Sequence, residues 1–72
     1  MRDDIYLKRL GKKISDLRKA KNIPQITFAE TLGTHNNAIR RIEKGEVNST
    51  INMLRKIAKE LGISVSELVN IR

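Results

Sequence analysis

Residues 33–45, GTHNNAIRRIEKG, combine two adjacent amides and two adjacent guanidiniums with only two large apolar side chains. Asn is a poor helix former because its side chain competes for backbone hydrogen bonds. The succession of Asn36 and Asn37 therefore indicates a demand other than helix formation. An Asn amide can pair with N6 and N7 of adenine in the major groove of DNA, and an Arg guanidinium can pair with O6 and N7 of guanine. This stretch has the side-chain chemistry needed to read bases.

Other interpretations of these side chains stay open at this point. Asn36 and Asn37 could be turn formers, since Asn is common at the start of helices, and Arg41 could be a solvated surface charge. We interpret His35 as a helix cap or a phosphate contact rather than a metal ligand, because the chain has no Cys and no second His. No nucleophile and base, phosphate-binding glycine loop or spaced carboxylate pair is recognisable. We expect no enzyme activity, no metal and no cofactor.

The elements that must position these side chains are helices. Apolar residues recur at three- and four-residue steps along the chain, and no alternating strand pattern of useful length occurs. The spacing predicts an all-α fold of five helices. The predicted inward-facing residues are Leu7, Leu10, Ile14 and Leu17 in the first helix, Phe28 and Leu32 in the second, Ile39 and Ile42 in the third, Ile51, Leu54, Ile57, Ala58 and Leu61 in the fourth, and Val65, Leu68, Val69 and Ile71 in the fifth.

Capping and breaking residues predict where these helices begin and end. The first helix ends near KAKNIP, and Pro24 suits the first turn of the second. The other predicted boundaries are Gly33 at the end of the second helix, Asn36 and Gly45 around the third, a Ser49 or Thr50 cap and Gly62 around the fourth, and a Ser64 and Glu67 capping box before the fifth.

The stretch PQITFAETLGTHNNAIRRIEKG has the residue types of a helix-turn-helix. Ala29 is small where two helices would cross, and Gly33 can adopt the left-handed conformation of the turn. The residues predicted to lock the helices together are Phe28, Leu32, Ile39 and Ile42, and those left pointing outward are Asn36, Asn37, Arg40 and Arg41. Ala38 can add contact with a thymine methyl group.

On these motifs the chain resembles the Cro and phage-repressor-like family of helix-turn-helix domains, the XRE family. The matching segments are LGKKISDLRKAKNIPQ, FAETLG, IRRIEKG and MLRKIAKELGISVSELV, which together span nearly the whole chain. The resemblance implies one five-helix domain over residues 1–72, with the helix-turn-helix at about residues 25–44. It also implies that a supporting helix, Gln25 to Leu32, lies across the DNA backbone and that a recognition helix, Asn36 to Lys44, enters the major groove.

The resemblance implies roles for individual residues as well. Asn36, Asn37 and Arg41 match the family's base-contacting positions, and Ala38 is counted with them. Gln25, Arg40 and Lys44 match positions that contact the DNA backbone, to which we add His35 and Arg18. The glutamine at the position of Gln25 also packs against the recognition helix in the family. Arg18 and Glu43 also match a partly buried pair that links the first helix to the end of the third. The chain departs from the family pattern at Pro24, Thr34 and Ser49, which stand where Ser or Thr, Val and Pro are usual.

Composition and charge narrow the class of partner. The 72 residues carry a formal net charge of +7, which suggests an anionic partner, and the basic excess is largest in residues 1–23. A solvated helix face remains an alternative for that basic cluster. The chain lacks Cys, a signal peptide and an apolar run long enough to span a bilayer, so we expect a cytoplasmic protein.

The leading hypothesis is a sequence-specific DNA-binding transcriptional regulator, which we expect to be a repressor. The alternative is an antitoxin-like or protein-interaction module that needs a partner chain for specific DNA binding, and a third is a basic protein at an anionic membrane surface. We expect a homodimer that binds an inverted-repeat operator and associates through Val65, Leu68, Val69 and Ile71, with no small-molecule ligand.

Overall fold

Five helices account for most of residues 2–71, the part of the chain that the computed structural model describes; side chains are described for residues 5–71. The helices are α1 (Arg2–Ala20), α2 (Gln25–Thr31), α3 (Asn36–Glu43), α4 (Ile51–Leu61) and α5 (Val65–Val69), and the described range contains no strand. The predicted all-α fold is confirmed. The domain predicted over residues 1–72 reaches one residue beyond the described range at each end, at Met1 and Arg72.

Each helix places one large apolar side chain at the centre of the core with at most 1% of its surface exposed. These residues are Ile14 of α1, Phe28 of α2, Ile39 of α3, Ile57 of α4 and Leu68 of α5. Full burial of a side chain of this size stabilises a fold by about 1.5–3 kcal/mol. The core is therefore shared among all five helices, and α3 in particular packs against both α1 and α2.

Most predicted core positions are buried or half-buried, and Ile51 is the exception. Its side chain is 61% exposed, so the prediction that it faces inward is wrong. Ile51 is the first residue of α4, directly after the Thr50 cap, and the core-facing stripe of that helix begins with half-buried Met53 and Leu54. Periodicity alone assigned Ile51 to this stripe, but the helix starts beyond the edge of the core.

The helix boundaries follow the capping chemistry. The hydroxyl of Thr50, not that of Ser49, accepts the Met53 N–H at 3.1 Å and caps α4. The predicted capping box is present, since Ser64 and Glu67 each accept the other's backbone N–H, at 3.0 and 3.1 Å. Pro24 lies one position before α2 as its N-cap and supplies no side-chain cap.

Two glycines let α1 approach α3 more closely than any side chain would allow. A Cβ at Gly11 would lie 2.4 Å from the carbonyl oxygen of Glu43, and one at Gly45 would lie 2.6 Å from Cα of Lys8. Backbone therefore rests on backbone where α3 ends. Gly11 lies within α1 with no turn or cap to mark it, so the sequence alone predicts no role for it. These contacts set the distance of the candidate recognition helix from the rest of the domain.

We expect Gly45→Ala to destabilise the domain more than Gly33→Ala. Both glycines have nearly the same left-handed backbone, with φ of +74° and +75°, but a Cβ at Gly33 meets nothing within 4 Å. Gly33→Ala should therefore cost only about 1 kcal/mol for the conformation. Gly45→Ala adds overlap with the α1 backbone and should cost about 3 kcal/mol. Urea denaturation of the two variants measures the difference, and equal losses would show that the close approach is unimportant.

Candidate nucleic-acid interface

The α3 helix has a buried face and an exposed polar face. Ile39 and Ile42 are 0% and 9% exposed and anchor the helix to the core. The exposed side chains are Asn36, Asn37, Arg40 and Arg41, followed by Lys44 at the C-cap. The structure thus brings the predicted outward residues onto one accessible surface, as a DNA-reading helix requires. Their contacts with DNA stay predictions.

Ala38 occupies the border between these two faces. It is half-buried and lines a surface pocket of about 270 Å³ between α3 and the start of α4, together with Val47 and Met53. Its methyl group is therefore only partly accessible. The predicted contact between Ala38 and a thymine methyl depends on that remaining exposed part.

His35 caps the N-terminus of α3. Its backbone is extended, with φ of −117° and ψ of 161°, and its Nδ1 accepts the Ala38 N–H at 3.3 Å. The capping role expected from the sequence is confirmed. Because Nδ1 accepts a hydrogen bond, the neutral ring carries its proton on Nε2, which leaves a donor on an exposed side chain. That donor suits the predicted phosphate contact.

Two arginines of α3 are held differently. Arg40 donates from Nε and Nη2 to Oδ1 of Asn37, at 3.2 and 2.6 Å, one turn earlier in the same helix. Nε of Arg41 lies as far as 3.8 Å from Oε1 of Glu46, and both of these side chains are about half exposed. An ion pair at that distance and exposure contributes little to stability. Arg41 can therefore leave Glu46 for another partner at small cost.

The carboxylate of Glu43, the last residue of α3, joins three helices below this surface. It accepts bonds from Nε and Nη2 of Arg18 in α1, at 2.8 and 3.1 Å, and from Nε2 of Gln25 in α2, at 3.0 Å. The Arg18 and Glu43 side chains are only 8% and 6% exposed. The expected Arg18–Glu43 pair is present. The resemblance implied that Gln25 packs against the third helix, but no local spacing in the sequence signals its bond to Glu43.

This network decides how Arg18 and Gln25 can contribute to a DNA interface. Arg18 also donates from Nη1 to the carbonyl of Ile23 at 2.7 Å, so each nitrogen of its guanidinium has a hydrogen-bond partner within the protein. The structure does not support the expectation that Arg18 contacts the DNA backbone, because its side chain belongs to the interior. Gln25 is half-buried at the first position of α2, where a phosphate contact remains compatible with its bond to Glu43.

In the described part of the chain, no group of three His, Cys, Asp or Glu side chains is placed to hold a metal ion. No helix among the described residues combines the length and apolar character needed to cross a bilayer.

A helix-turn-helix family model, HTH_3, matches residues 14–68, which include α2, α3 and the turn between them. The chain belongs to this helix-turn-helix family. The resemblance to the Cro and phage-repressor-like domains is confirmed, and the fold is that of a DNA-binding domain of the kind found in transcriptional regulators.

Relatives of the chain include a transcriptional regulator and a control protein. The transcriptional regulator PuuR of Escherichia coli (strain K12) is 37% identical over 57 residues, 79% of this chain and 31% of PuuR. This chain thus corresponds to about a third of the length of PuuR. The control protein C.MunI of Mycoplasma sp is 38% identical over 61 residues, 83% of this chain and 82% of C.MunI.

Solved structures share the fold over most of the chain. The restriction-modification controller protein C.AhdI from Aeromonas hydrophila superposes with a TM-score of 0.84 at 29% identity, covering 90% of this chain and 94% of C.AhdI. The clp gene regulator ClgR from Corynebacterium glutamicum gives the same TM-score at 20% identity, which supports the fold alone. The five-helix arrangement is therefore that of a helix-turn-helix regulator domain.

We expect Arg18→Met to destabilise this helix-turn-helix domain by about 3–5 kcal/mol, because it leaves the Glu43 carboxylate buried without its cation. The double variant Arg18→Met, Glu43→Leu should recover most of that loss, since it removes both charges and fills the space with apolar atoms. Urea denaturation monitored by circular dichroism measures both. Stability of Arg18→Met within about 0.5 kcal/mol of the wild type would contradict a buried pair.

Proposed function

We propose that this chain is a sequence-specific transcriptional repressor that reads its operator with α3 in the major groove. The observation that carries the proposal is the two-faced α3. Ile39 and Ile42 hold it in the core while its opposite face presents two amides and two guanidiniums. A repressor acts by occupying an operator, which needs no catalytic group, and we propose no enzymatic role.

The proposed base contacts come from the first turns of α3 and from the arginine that follows them. Asn36, Asn37 and Arg41 carry them, with the accessible part of Ala38 against a thymine methyl group. The N-terminal residues of a recognition helix are those that reach base edges in this docking geometry. The weak Arg41–Glu46 pair, at 3.8 Å, supports the role of Arg41 because binding can exchange it for a guanine edge.

The proposed DNA backbone contacts surround these readers. Gln25 begins α2, His35 caps α3 with Nε2 as a remaining donor, and Lys44 follows the last turn of α3. Residues 24–48 have three basic and three acidic side chains, so their net charge is zero. The chain's net charge of +7 is thus located outside the helix-turn-helix, where it favours approach to DNA without selecting a sequence.

We also propose that the chain binds as a homodimer on an inverted repeat, because one recognition helix reads only a few base pairs. The expected self-association patch needs revision. Leu68 is 0% exposed and belongs to the core, so it cannot be part of an exposed interface. Val65, Val69 and Ile71 are half-buried near the end of the chain and remain the proposed contact.

The lack of Cys supports a cytoplasmic location.

Selection of bound duplexes from a random pool, at near-physiological salt, tests the proposed function. We expect an inverted repeat whose half-site centres are about 34–36 Å apart, or a multiple of one helical turn. Asn36→Ala and Arg41→Ala should each relax the base preference at one position. Lys44→Ala is the matched control for charge: it should weaken binding evenly across sequences and lower the slope of log affinity against log salt by about one.

The same selection separates the proposal from the partner-dependent alternative. Salt-sensitive retention of bulk DNA with no enriched motif would mean that this chain alone does not discriminate sequences. The antitoxin-like reading, in which a partner chain is needed for specific binding, would then replace the proposed function.

We expect Ile71→Asp to convert the proposed dimer into a folded monomer, because a carboxylate in an apolar contact between copies is costly to desolvate. Sedimentation equilibrium gives the oligomeric state, and circular dichroism checks that the variant is folded. Ile51→Asp is the matched control, since Ile51 is 61% exposed at the start of α4 and lies outside the proposed patch. A dimer that survives Ile71→Asp but not Ile51→Asp would move the interface to α4.

A further inference from the structure

Asn37 and Arg40 form a hydrogen-bonded pair on the exposed face of α3. Arg40 Nε and Nη2 donate to the same oxygen, Oδ1 of Asn37, at 3.2 and 2.6 Å. Residues three apart in a helix are neighbours on one face, so this pairing needs no change in the backbone. A guanidinium has only donors, so the amide of Asn37 must turn its oxygen and not its nitrogen toward Arg40. The pair therefore fixes the orientation of the Asn37 amide.

In that orientation the acceptor oxygen of Asn37 is already occupied and is not available to a base. An unpaired Asn amide is both donor and acceptor, which matches N6 and N7 of adenine. An amide oxygen has two lone pairs, and two N–H groups of Arg40 already occupy Oδ1 of Asn37. Only the N–H groups of Asn37 remain to be offered to a base. Arg40 adds its own remaining N–H groups beside them, so the joint surface consists of donors.

We propose that Asn37 and Arg40 act as one donor-only reader that selects guanine, whose O6 and N7 are both acceptors in the major groove, over adenine. In this pair Arg40 is the positioning residue for Asn37. The inference rests on the proposed function, since it requires that the first turns of α3 lie against base edges. It replaces adenine with guanine as the base for Asn37, and it gives Arg40 a part in base selection besides any phosphate contact.

The acid that pairs with an arginine of α3 on this surface does not oppose the arrangement. Oε1 of Glu46 lies 3.8 Å from Nε of Arg41, whereas the guanidinium of Arg40 donates to Asn37. The hydrogen bond from Arg40 is charge-assisted, which makes it stronger than a bond between two neutral groups. Pairing Asn37 with adenine would require Oδ1 to leave a cation for a neutral N6 amine. Guanine makes no such demand.

The experiment measures dissociation constants for operator duplexes that differ at one base pair. The operator comes from the random-pool selection, and the position read by Asn37 is the one whose preference Asn37→Ala abolishes. We expect the wild-type chain to bind guanine there about tenfold more tightly than adenine. Replacing that guanine with 7-deazaguanine, which lacks the N7 acceptor, should weaken binding about fivefold.

Arg40→Met tests the positioning role, because it removes the donors and keeps a long unbranched side chain. The freed Asn37 amide should then be able to pair with adenine. The preference for guanine over adenine, measured as the ratio of the two affinities, should therefore fall by about tenfold. Arg55→Met is the matched control: Arg55 is an exposed arginine of α4 that we assign to no DNA contact, and its loss should leave the ratio unchanged. Arg40→Gln is measured in parallel, and circular dichroism checks that each variant is folded.

Two results overturn the inference without touching the proposed function. One is a clear operator in which the wild-type chain prefers adenine at the Asn37 position. The other is an equal loss of affinity for every base in Arg40→Met, which would make Arg40 a phosphate contact alone. Absence of any enriched motif would overturn the inference together with the proposed function, so the two failures are distinguishable.

Discussion

The placement of α3 depends on the hydrogen bonds that the buried carboxylate of Glu43 accepts. A carboxylate removed from water costs several kcal/mol unless its oxygens are bonded, and at the C-terminus of a helix it also meets the negative end of the helix dipole. Here Arg18 of α1 and Gln25 of α2 offset these costs with hydrogen bonds of 2.8–3.1 Å. The two bonds from Arg18 fix α3 relative to α1, and the bond from Gln25 fixes it relative to α2. If any of these helices moved, a buried charge would lose a partner.

The short helices of the helix-turn-helix could not exist without such tertiary support. The α2 and α3 helices have only seven and eight residues, well below the length at which a helix is stable alone. Burial of Phe28, Ile39 and Ile42 and the backbone contact at Gly11 supply what local propensity lacks. The domain can therefore have poor helix formers such as Asn36 and Asn37 on the exposed face of α3, because the buried face of the same helix offsets their unfavourable helix propensity.

Interior and surface bonds of α3 differ in a way that suits recognition. The Arg18–Glu43 pair has side chains no more than 8% exposed and holds the helix in place. The Arg41–Glu46 pair is half exposed and loose. Buried bonds that hold the helix, together with exposed polar pairs that can separate, allow a binding surface to keep its backbone geometry while its side chains change partners. The Asn37–Arg40 bonds lie between these extremes, since they are charge-assisted but exposed.

Local chemistry determined much of this protein from its sequence alone. Helical periodicity, the Ser64–Glu67 capping box, the end of α2 near Gly33 and the outward set on α3 all depend on residues within one or two turns of each other, so spacing along the chain predicted them. Tertiary structure alone decided the exposure of Ile51, the complete burial of Leu68, the contact at Gly11 and the bond from Gln25 to Glu43. The physical reason is the same in each case. Whether an apolar side chain is covered, or a polar one finds a buried partner, depends on which distant helix arrives beside it, and that information is not contained in the spacing of its neighbours.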